Sequence, residues 1–164
     1  MEVISIPKKR TKVFTNEVIE RLEKRLNCKI EIIDGNRVNI NGDGYSEYNA
    51  GNVISAIGRG FDVNTAEKLL INDYYFKYIR LRETLNNRKQ IERIKSRIIG
   101  KEGKSIRYIR AVSGADIVVY GDTIGMIGKI EEIEIASAAI KVLIEGGTHK
   151  RAFRVMESVK RNVV

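Results

Sequence analysis

The chain has 164 residues, of which 43% are hydrophobic and 31% are charged. This balance is typical of a folded protein with one domain or two small ones, rather than of a disordered chain. No apolar run approaches the roughly 18 residues that cross a membrane, and the N-terminus lacks the pattern of a signal peptide, so we expect a cytoplasmic protein. The formal net charge of +9 favours a polyanionic partner.

The first half of the sequence predicts the element order β–α–β–β–α. Thr15 or Asn16 can cap the first helix by accepting a hydrogen bond from a backbone N–H of its first turn. Alternating apolar residues on either side of Gly35-Asn36 predict a β-hairpin. The predicted elements are a strand over 2–7, a helix from about 16, a hairpin over 29–40, a helix over 46–57 and a short connecting helix over 64–71.

The second half predicts a related order, β–α–turn–α–β–β–α, followed by a basic helix. Its elements are a strand over 74–81, helices over 88–99 and 104–112, strands over 115–120 and 123–130, a helix over 133–144 and a helix from about 148. The apolar stripe of the first of these helices is formed by Ile91, Ile94, Ile98 and Ile99. The repeated order predicts an α+β protein with two separate three-stranded sheets.

Positive charge is concentrated in residues 88–110, where nine basic side chains are opposed only by Glu92 and Glu102. Scattered basic residues usually form a solvated surface, whereas one concentrated block favours a polyanionic partner. A helix on a membrane surface is the competing interpretation. It would need apolar residues that face lipid, and the isoleucines of this segment are used in a core.

The basic block contains the turn Gly100-Lys101-Glu102-Gly103, which separates two predicted helices and is called the GXXG turn below. Two glycines three residues apart let the backbone turn sharply and approach a ligand without intervening side chains. The helix that follows presents free N–H groups and the positive end of its dipole, which suits a phosphate. This is not a nucleotide-binding P-loop, because Ile98 stands where that motif requires its first glycine.

The sequence Ile98-Ile99-Gly100-Lys101-Glu102-Gly103-Lys104-Ser105-Ile106 resembles the signature of the KH domain, whose GXXG loop clamps about four nucleotides of single-stranded RNA or DNA. Nearly the whole chain further resembles the archaeal members of the KH-containing small-subunit ribosome assembly factors. In eukaryotes these are the pre-ribosomal RNA partners of the endonuclease that trims the 3′ end of small-subunit rRNA. The more specific segments are 56–61, 73–75, 97–104, 119–123 and 144–149.

The resemblance implies two tandem type I KH domains, each a three-stranded sheet backed by helices, plus a C-terminal helix. It implies binding of single-stranded RNA near the 3′ end of small-subunit (16S) rRNA, without catalysis, metal or cofactor. We assign the domains to residues 1–72 and 73–164. The first departs from the KH pattern, because residues 8–16 contain no glycine. We expect it to be structural, a platform for the second domain, or a weak RNA contact.

The predicted RNA-binding residues surround the GXXG turn. They are Arg93, Lys95, Arg97, Ile99, Gly100, Lys101, Glu102, Gly103, Lys104, Arg107 and Arg110. Secondary contacts are predicted for Lys8, Lys9, Arg10, Arg59, His149, Lys150 and Arg151. For Arg59 a helix end is the favoured alternative, and for His149 helix capping is the alternative. One histidine rules out a histidine-rich metal site.

Other patterns favour structural roles. Residues 125–128 form a second G-x-x-G, but they fall within a predicted strand, where a bulge or close strand packing explains them. The carboxylates of residues 116–134 have no spacing that brings them together around a metal. Tyr74, Tyr75 and Tyr78 could stack on bases, although half-buried strand aromatics are commoner.

Two classes of function remain open. The first is an RNA-binding ribosome assembly factor whose partner is small-subunit rRNA. The second is a protein-docking scaffold that positions an rRNA endonuclease or another partner, such as the small ribosomal subunit, and binds RNA weakly. A nuclease or methyltransferase would need a catalytic motif, and the sequence contains none. The salt dependence of RNA affinity separates the first two classes.

Overall fold

The computed structural model describes residues 1–163, which form two compact units: residues 1–72, and a second unit that begins at Asp73. Each unit contains one three-stranded antiparallel sheet. The prediction of an α+β protein with two separate sheets is therefore confirmed. Among the described residues, none of the helices combines the length and the apolar character that a membrane span requires.

The first unit has its elements in the order β–α–β–β–α, followed by a short helix. The strands are β1 (Glu2–Ser5), β2 (Lys29–Ile33) and β3 (Arg37–Asn41), and the helices are α1 (Asn16–Leu26), α2 (Gly44–Gly58) and α3 (Val63–Ala66). Short 3-10 helices cover Lys8–Val13 and Glu67–Leu70. Strand β3 lies in the middle of the sheet, between β1 and its hairpin partner β2.

Side-chain caps determine where the helices of this unit begin. Thr15, one of the two predicted caps, accepts a hydrogen bond from Val18 N at 3.3 Å. Helix α2 begins at Gly44, two residues earlier than predicted, because Asp43 Oδ1 accepts from Ser46 N at 2.8 Å. The buried residues of the core include Leu22, Leu26, Val38, Ile40, Ile54 and Ile57.

A buried carboxylate ties α1 to the segment after α3. Glu67 is 5% exposed and forms ion pairs with Arg21 and, at 2.6 Å, with Arg25. A buried carboxylate is costly unless it is paired and hydrogen-bonded, so two arginines one helical turn apart hold this segment against α1. The helix predicted over 64–71 is instead α3 followed by a 3-10 helix, and the change occurs at Glu67, where this ion pairing begins.

The second unit has two helices between its first and second strands. Its elements are β4 (Tyr75–Arg80), α4 (Arg88–Ile99), α5 (Lys104–Ser113), β5 (Asp116–Tyr120), β6 (Thr123–Gly128), α6 (Ile130–Ile144) and α7 (His149–Val163). Short 3-10 helices cover Leu81–Glu83 and Lys101–Gly103. The last strand, β6, lies between β4 and β5, as β3 lies between β1 and β2 in the first unit.

One hydrophobic core joins the helices of this unit to its sheet, and it includes Ala152 and Met156 of α7. The prediction that Ile99 belongs to this core is wrong, because its side chain is 37% exposed. Ile99 follows the buried Ile98 by one residue and therefore points about 100° away around the helix. Helix α6 begins three residues earlier than predicted, because Glu132 Oε1 accepts from Lys129 N at 2.8 Å and fixes its first turn.

The turn between β5 and β6 holds the start of α4. Asp122 accepts hydrogen bonds from Arg88, the first residue of α4, at 2.5 and 3.0 Å, and from Arg82 at 2.6 Å. The hydrogen bond from Arg88 is the largest cause of a lowered Asp122 pKa, about 2, with Arg82 adding to the effect and partial desolvation opposing it. Asp122 is therefore charged throughout the neutral range, and α4 is anchored at the end far from the GXXG turn.

Candidate nucleic-acid interface

The GXXG turn between α4 and α5 depends on its glycines. Gly100 has a φ of +76° and Gly103 a φ of +74°, and Glu102 between them has a φ of +55°. A Cβ atom on Gly100 would lie 2.6 Å from Ser105 Cβ and 2.8 Å from Ser105 N, so a larger residue would displace the start of α5. Gly103 N donates to Gly100 O at 3.1 Å and closes the turn. The backbone therefore turns sharply between two helices, as the glycine spacing predicts.

The start of α5 offers unused hydrogen-bonding groups. Within the described part of the chain, no side chain caps this helix, because Gly103 is its N-cap residue. Of the first N–H groups of α5, that of Lys104 donates to Lys101 O in the preceding 3-10 helix. The N–H groups of a first turn that have no partner inside the helix favour an anion, together with the helix dipole. Ser105 is 5% exposed, and its Oγ has no hydrogen-bond partner among residues 1–163. Buried hydroxyls normally have one, so Ser105, which the sequence patterns did not single out, is a buried polar group without a described partner beneath the turn.

Exposed charged side chains surround the turn. They are Lys101, Glu102, Lys104 and Arg107. Arg107 Nη1 donates to Glu102 O at 2.7 Å, so its guanidinium lies against the turn. Neither Lys101 nor Lys104 forms an ion pair with any residue in the range 1–163. Three cations against one carboxylate leave the surroundings of the turn positive, which suits a phosphate.

Arg97 and His149, both predicted RNA contacts, hold elements of the second unit together. Arg97 donates to Leu143 O at 3.1 Å and to Gly147 O, at the C-terminal end of α6. The last carbonyls of a helix lack partners inside it, so the arginine side chain supplies them. His149 Nε2 lies 2.7 Å from Arg97 O and donates its proton to that carbonyl, in the last turn of α4. Both side chains are half-buried and engaged within the unit.

The other predicted basic residues of α4 and α5 differ in their surroundings. Arg110 donates from Nε and Nη2 to Ile117 O at 3.0 and 2.6 Å, so its guanidinium covers the backbone of the edge strand β5. Lys95 is half-buried and lies 3.7 Å from Glu92. Arg93 is exposed on α4, as is the predicted apolar contact Ile99.

The secondary candidates of the first unit divide in the same way. Lys8 and Lys9 are exposed in the 3-10 helix Lys8–Val13. Arg10 donates to Ile57 O at 2.9 Å and to Phe61 O at 2.8 Å, so its side chain is engaged at the end of α2. Only the two lysines of this trio present their charge fully to solvent.

The remaining candidates lie at helix ends, in strands or on α7. Arg59 is half-buried at the C-cap position of α2, where the alternative interpretation places it. Residues 125–128 lie within β6 and are buried, as the strand interpretation predicts. Lys150 and Arg151 are exposed in the first turn of α7. Within residues 1–163, no group of three His, Cys, Asp or Glu side chains is placed to hold a metal ion.

Comparison with known proteins identifies the family. A family model described as the eukaryotic type KH-domain (KH-domain type I) matches residues 75–161, which include the GXXG turn. The KH domain-containing protein of Methanocaldococcus jannaschii is 34% identical over 171 residues, covering 99% of this chain and 75% of that protein. The chain belongs to the type I KH family, of the Pno1 and Dim2 type. The GXXG turn is thus part of a recognised KH domain.

Two more members of this KH family connect it with ribosomal RNA. The pre-rRNA-processing protein pno1 of Aspergillus fumigatus is 26% identical over 85% of this chain, which spans 56% of that protein. A chain in the crystal structure of the a/eIF2alpha–aDim2p–rRNA complex from Pyrococcus horikoshii is 32% identical. It superimposes with a TM-score of 0.89 over 99% of this chain and 94% of that chain.

Proposed function

We propose that this chain is an RNA-binding ribosome assembly factor that holds single-stranded small-subunit rRNA, near its 3′ end, at the GXXG turn. The observation that carries the proposal is the uncapped start of α5 behind two glycines, with Lys101, Lys104 and Arg107 exposed around it. Helix N–H groups and cations are the groups that bind a sugar-phosphate backbone. One relative is named for pre-rRNA processing, and one structural neighbour is in a complex with rRNA. A cytoplasmic location is part of the proposal.

We further propose that residues 1–72 are a KH domain that has lost its clamp, so that the chain holds two tandem type I KH domains. Both units place their last strand in the middle of the sheet. Both also use an arginine, Arg10 or Arg97, to hold the end of the helix after that strand, at two carbonyls four residues apart. In the first unit, Thr15 caps α1, the helix that corresponds to α5. Thr15 therefore occupies a backbone N–H group in the first turn of α1, whereas Gly103 at the start of α5 has no side chain that can do so.

The role that we propose is binding without turnover. KH domains recognise single strands through backbone and base contacts, which require no catalytic group. Incubation of a labelled single-stranded RNA with the protein and Mg²⁺ should leave the RNA intact at a protein excess that saturates binding. Cleavage that follows the protein through purification would contradict this part of the proposal.

A protein-docking scaffold is the second candidate function. The observation in its favour is that the Pyrococcus horikoshii neighbour is in a complex that contains a/eIF2alpha as well as rRNA. In this role the chain would position a protein partner, such as an rRNA endonuclease or a component of the small ribosomal subunit. RNA affinity that is weak and nearly independent of salt would favour the scaffold over the RNA clamp.

The proposed clamp is tested by replacing Lys101 and Glu102 together with Asp. Both glycines remain, and Asp tolerates the left-handed conformation of residue 102 better than most residues. The variant has two carboxylates where the phosphate should bind, against one in the parent, and it lacks the Lys101 cation. We expect affinity for a fluorescent single-stranded RNA to fall at least roughly tenfold, which corresponds to about 1.4 kcal/mol.

A matched control has the same change in charge away from the turn. Lys129→Asp also lowers the net charge by two, and it provides α6 with a favoured N-cap residue. This variant should keep nearly the parent affinity. Circular dichroism tests whether both variants are folded. If the folded Lys101→Asp/Glu102→Asp protein binds RNA as tightly as the parent, the GXXG turn is not the phosphate clamp.

A further inference from the structure

Helix α7 lies against the two helices that flank the GXXG turn. Near its start, His149 donates to Arg97 O, in the last turn of α4. Near its end, Lys160 Nζ donates to Val112 O, in the last turn of α5, at 2.8 Å. The start of α7 is therefore close to the turn, and its end lies beside the far end of α5.

The middle of α7 contacts α5 through Tyr108. The Tyr108 ring meets the Phe153 ring edge-on, with centroids 4.8 Å apart, and its hydroxyl donates to Glu157. Contacts of α7 with α4 and α5 thus follow the order of residues along α7. Helix α7 runs beside α5, away from the GXXG turn, and is held there along its length.

Three cations of α7 share one exposed face. Lys150, Arg154 and Arg161 are exposed, and at 3.6 residues per turn they lie within about 40° of each other around the helix. We call them the α7 basic stripe. Glu157 lies only about 20° from the edge of the stripe, and its carboxylate reaches Tyr108 of α5, so the stripe borders α5. None of the three forms an ion pair with a carboxylate in residues 1–163.

The α7 basic stripe continues the positive surface of the turn. Lys104 and Arg107 are exposed at the start of α5, and Tyr108, 39% exposed, lies between them and α7. The cations of α5 and of the stripe lie beside an accessible aromatic ring whose hydroxyl is held by Glu157, and cations near such a ring are a combination that binds a nucleic-acid strand. Phosphates contact the cations, and bases can stack on the ring.

We propose that the α7 basic stripe is a second RNA-binding surface, which contacts the phosphates of RNA that continues beyond the nucleotides held at the GXXG turn. This inference rests on the proposed function. From Lys150 to Arg161 the helix rises about 16 Å. That length matches about five stacked nucleotides at about 3.4 Å each. The surface therefore lengthens the bound segment of RNA beyond the four or so nucleotides that a KH clamp holds.

The test compares two RNAs and two triple variants. One RNA has about five nucleotides and fills only the clamp, and the other has about fifteen. The stripe variant is Lys150→Gln, Arg154→Gln, Arg161→Gln, because glutamine is neutral and keeps helix propensity. The control variant is Lys77→Gln, Lys129→Gln, Lys141→Gln, which removes three exposed cations from β4, from the residue before α6 and from α6 itself.

We expect the stripe variant to lose at least roughly tenfold in affinity for the long RNA and less than about twofold for the short one. Its plot of log affinity against log salt for the long RNA should become shallower by about 2, since each phosphate contact to a single strand contributes about 0.7. The control variant should retain a slope close to that of the parent. Thermal melting shows whether each variant is folded.

Three results for the stripe variant would overturn the inference. They are an unchanged affinity for the long RNA, a loss of affinity equal to that of the control variant, or equal losses of affinity for the two RNAs. Equal losses would mean that α7 acts only by supporting the turn. The Lys101→Asp/Glu102→Asp variant is measured in the same assay and should bind both RNAs more weakly than the parent. If the Lys101→Asp/Glu102→Asp variant binds both RNAs as tightly as the parent while the stripe variant loses affinity for the long RNA, the clamp proposal fails and the proposal for the α7 basic stripe stands. If the parent protein binds neither RNA, both fail.

Discussion

Glu102 is the residue of the GXXG turn that opposes its proposed role. Its φ of +55° lies in the left-handed region, which costs most residues about 1–2 kcal/mol. Its carboxylate is also the one negative charge of the turn. Glu102→Asn should tighten RNA binding by about twofold to fivefold, because asparagine tolerates this backbone and removes up to about 1 kcal/mol of repulsion. The single-stranded RNA titration measures the change, and weaker binding by a folded variant would count against a phosphate at this position.

Arg97 should affect stability rather than phosphate binding. Removing its side chain leaves the carbonyls of Leu143 and Gly147 without these donors. Arg97→Ala should therefore lower the free energy of unfolding by about 1–3 kcal/mol, measured by urea denaturation. Arg93→Ala, one helical turn earlier at an exposed position, is the control and should change it by less than about 0.5 kcal/mol. In the folded fraction, Arg97→Ala should keep the salt dependence of RNA binding, and a shallower slope would show a direct phosphate contact.

At the scale of single residues, the sequence shows which side chains are charged but not which group each of them contacts. Arg97 and Lys101 are four residues apart in one basic block, yet one guanidinium bonds carbonyls that lie 46 and 50 residues away and the other side chain is exposed. Arg10 differs from Lys8 and Lys9 in the same way. Such acceptors come close only when the chain folds, so local composition cannot distinguish a structural arginine from one that meets RNA.

At the scale of elements, apolar periodicity and the positions of glycines predict which helices and strands form, but they do not predict the capping contacts that determine where a helix begins. The hairpin about Gly35-Asn36 and the helices on both sides of the GXXG turn follow from spacing alone, and they agree with the structure. The starts of α2 and α6 were misplaced by two and three residues. Their first turns are fixed by Asp43 and Glu132, whose acceptor atoms extend each helix beyond its apolar stripe.

The Asp122 link to α4 should make stability depend on acid pH. The Asp122 pKa is lowered in the folded protein, from 3.8 to about 2, first by its hydrogen bond with Arg88. Because this pKa is lower in the folded than in the unfolded protein, the charged carboxylate stabilises the fold at pH values above the unfolded pKa. This stabilisation is lost as the pH falls from about 4 towards about 2. The difference in unfolding free energy between the parent and Asp122→Asn should therefore be similar at pH 7 and pH 5 and smaller at pH 3.

Urea denaturation at these three pH values measures the Asp122 contribution. Glu134→Gln, which removes an exposed carboxylate from α6, controls for the change in net charge. A difference between the parent and Asp122→Asn that stays constant down to pH 3 would show that the ion pairs of Asp122 with Arg88 and Arg82 contribute no stability.

At the scale of the whole molecule, the two units share a strand arrangement and an arginine-held helix end but differ where a phosphate would bind. The repeated element order was visible in the sequence because each unit repeats the same apolar periods. The GXXG turn was visible because its glycines are locally necessary. The contacts of α7 with α4 and α5 could not be predicted from the sequence, because they join residues about 50 positions apart.

The last prediction compares the two units directly with matched double variants. Lys8→Gln/Lys9→Gln and Lys101→Gln/Lys104→Gln each remove two exposed lysines. Arg10 and Arg107 are left intact because both donate to backbone carbonyls. The second pair should lower affinity for single-stranded RNA at least roughly tenfold and make the salt dependence shallower by about 1.4, the contribution of two phosphate contacts. The first pair should cost less than about threefold, because Thr15 caps the helix that corresponds to α5 and there is no glycine turn before it. Equal losses in the two variants, both still folded by circular dichroism, would show that residues 1–72 bind RNA as strongly as the KH domain with the GXXG turn.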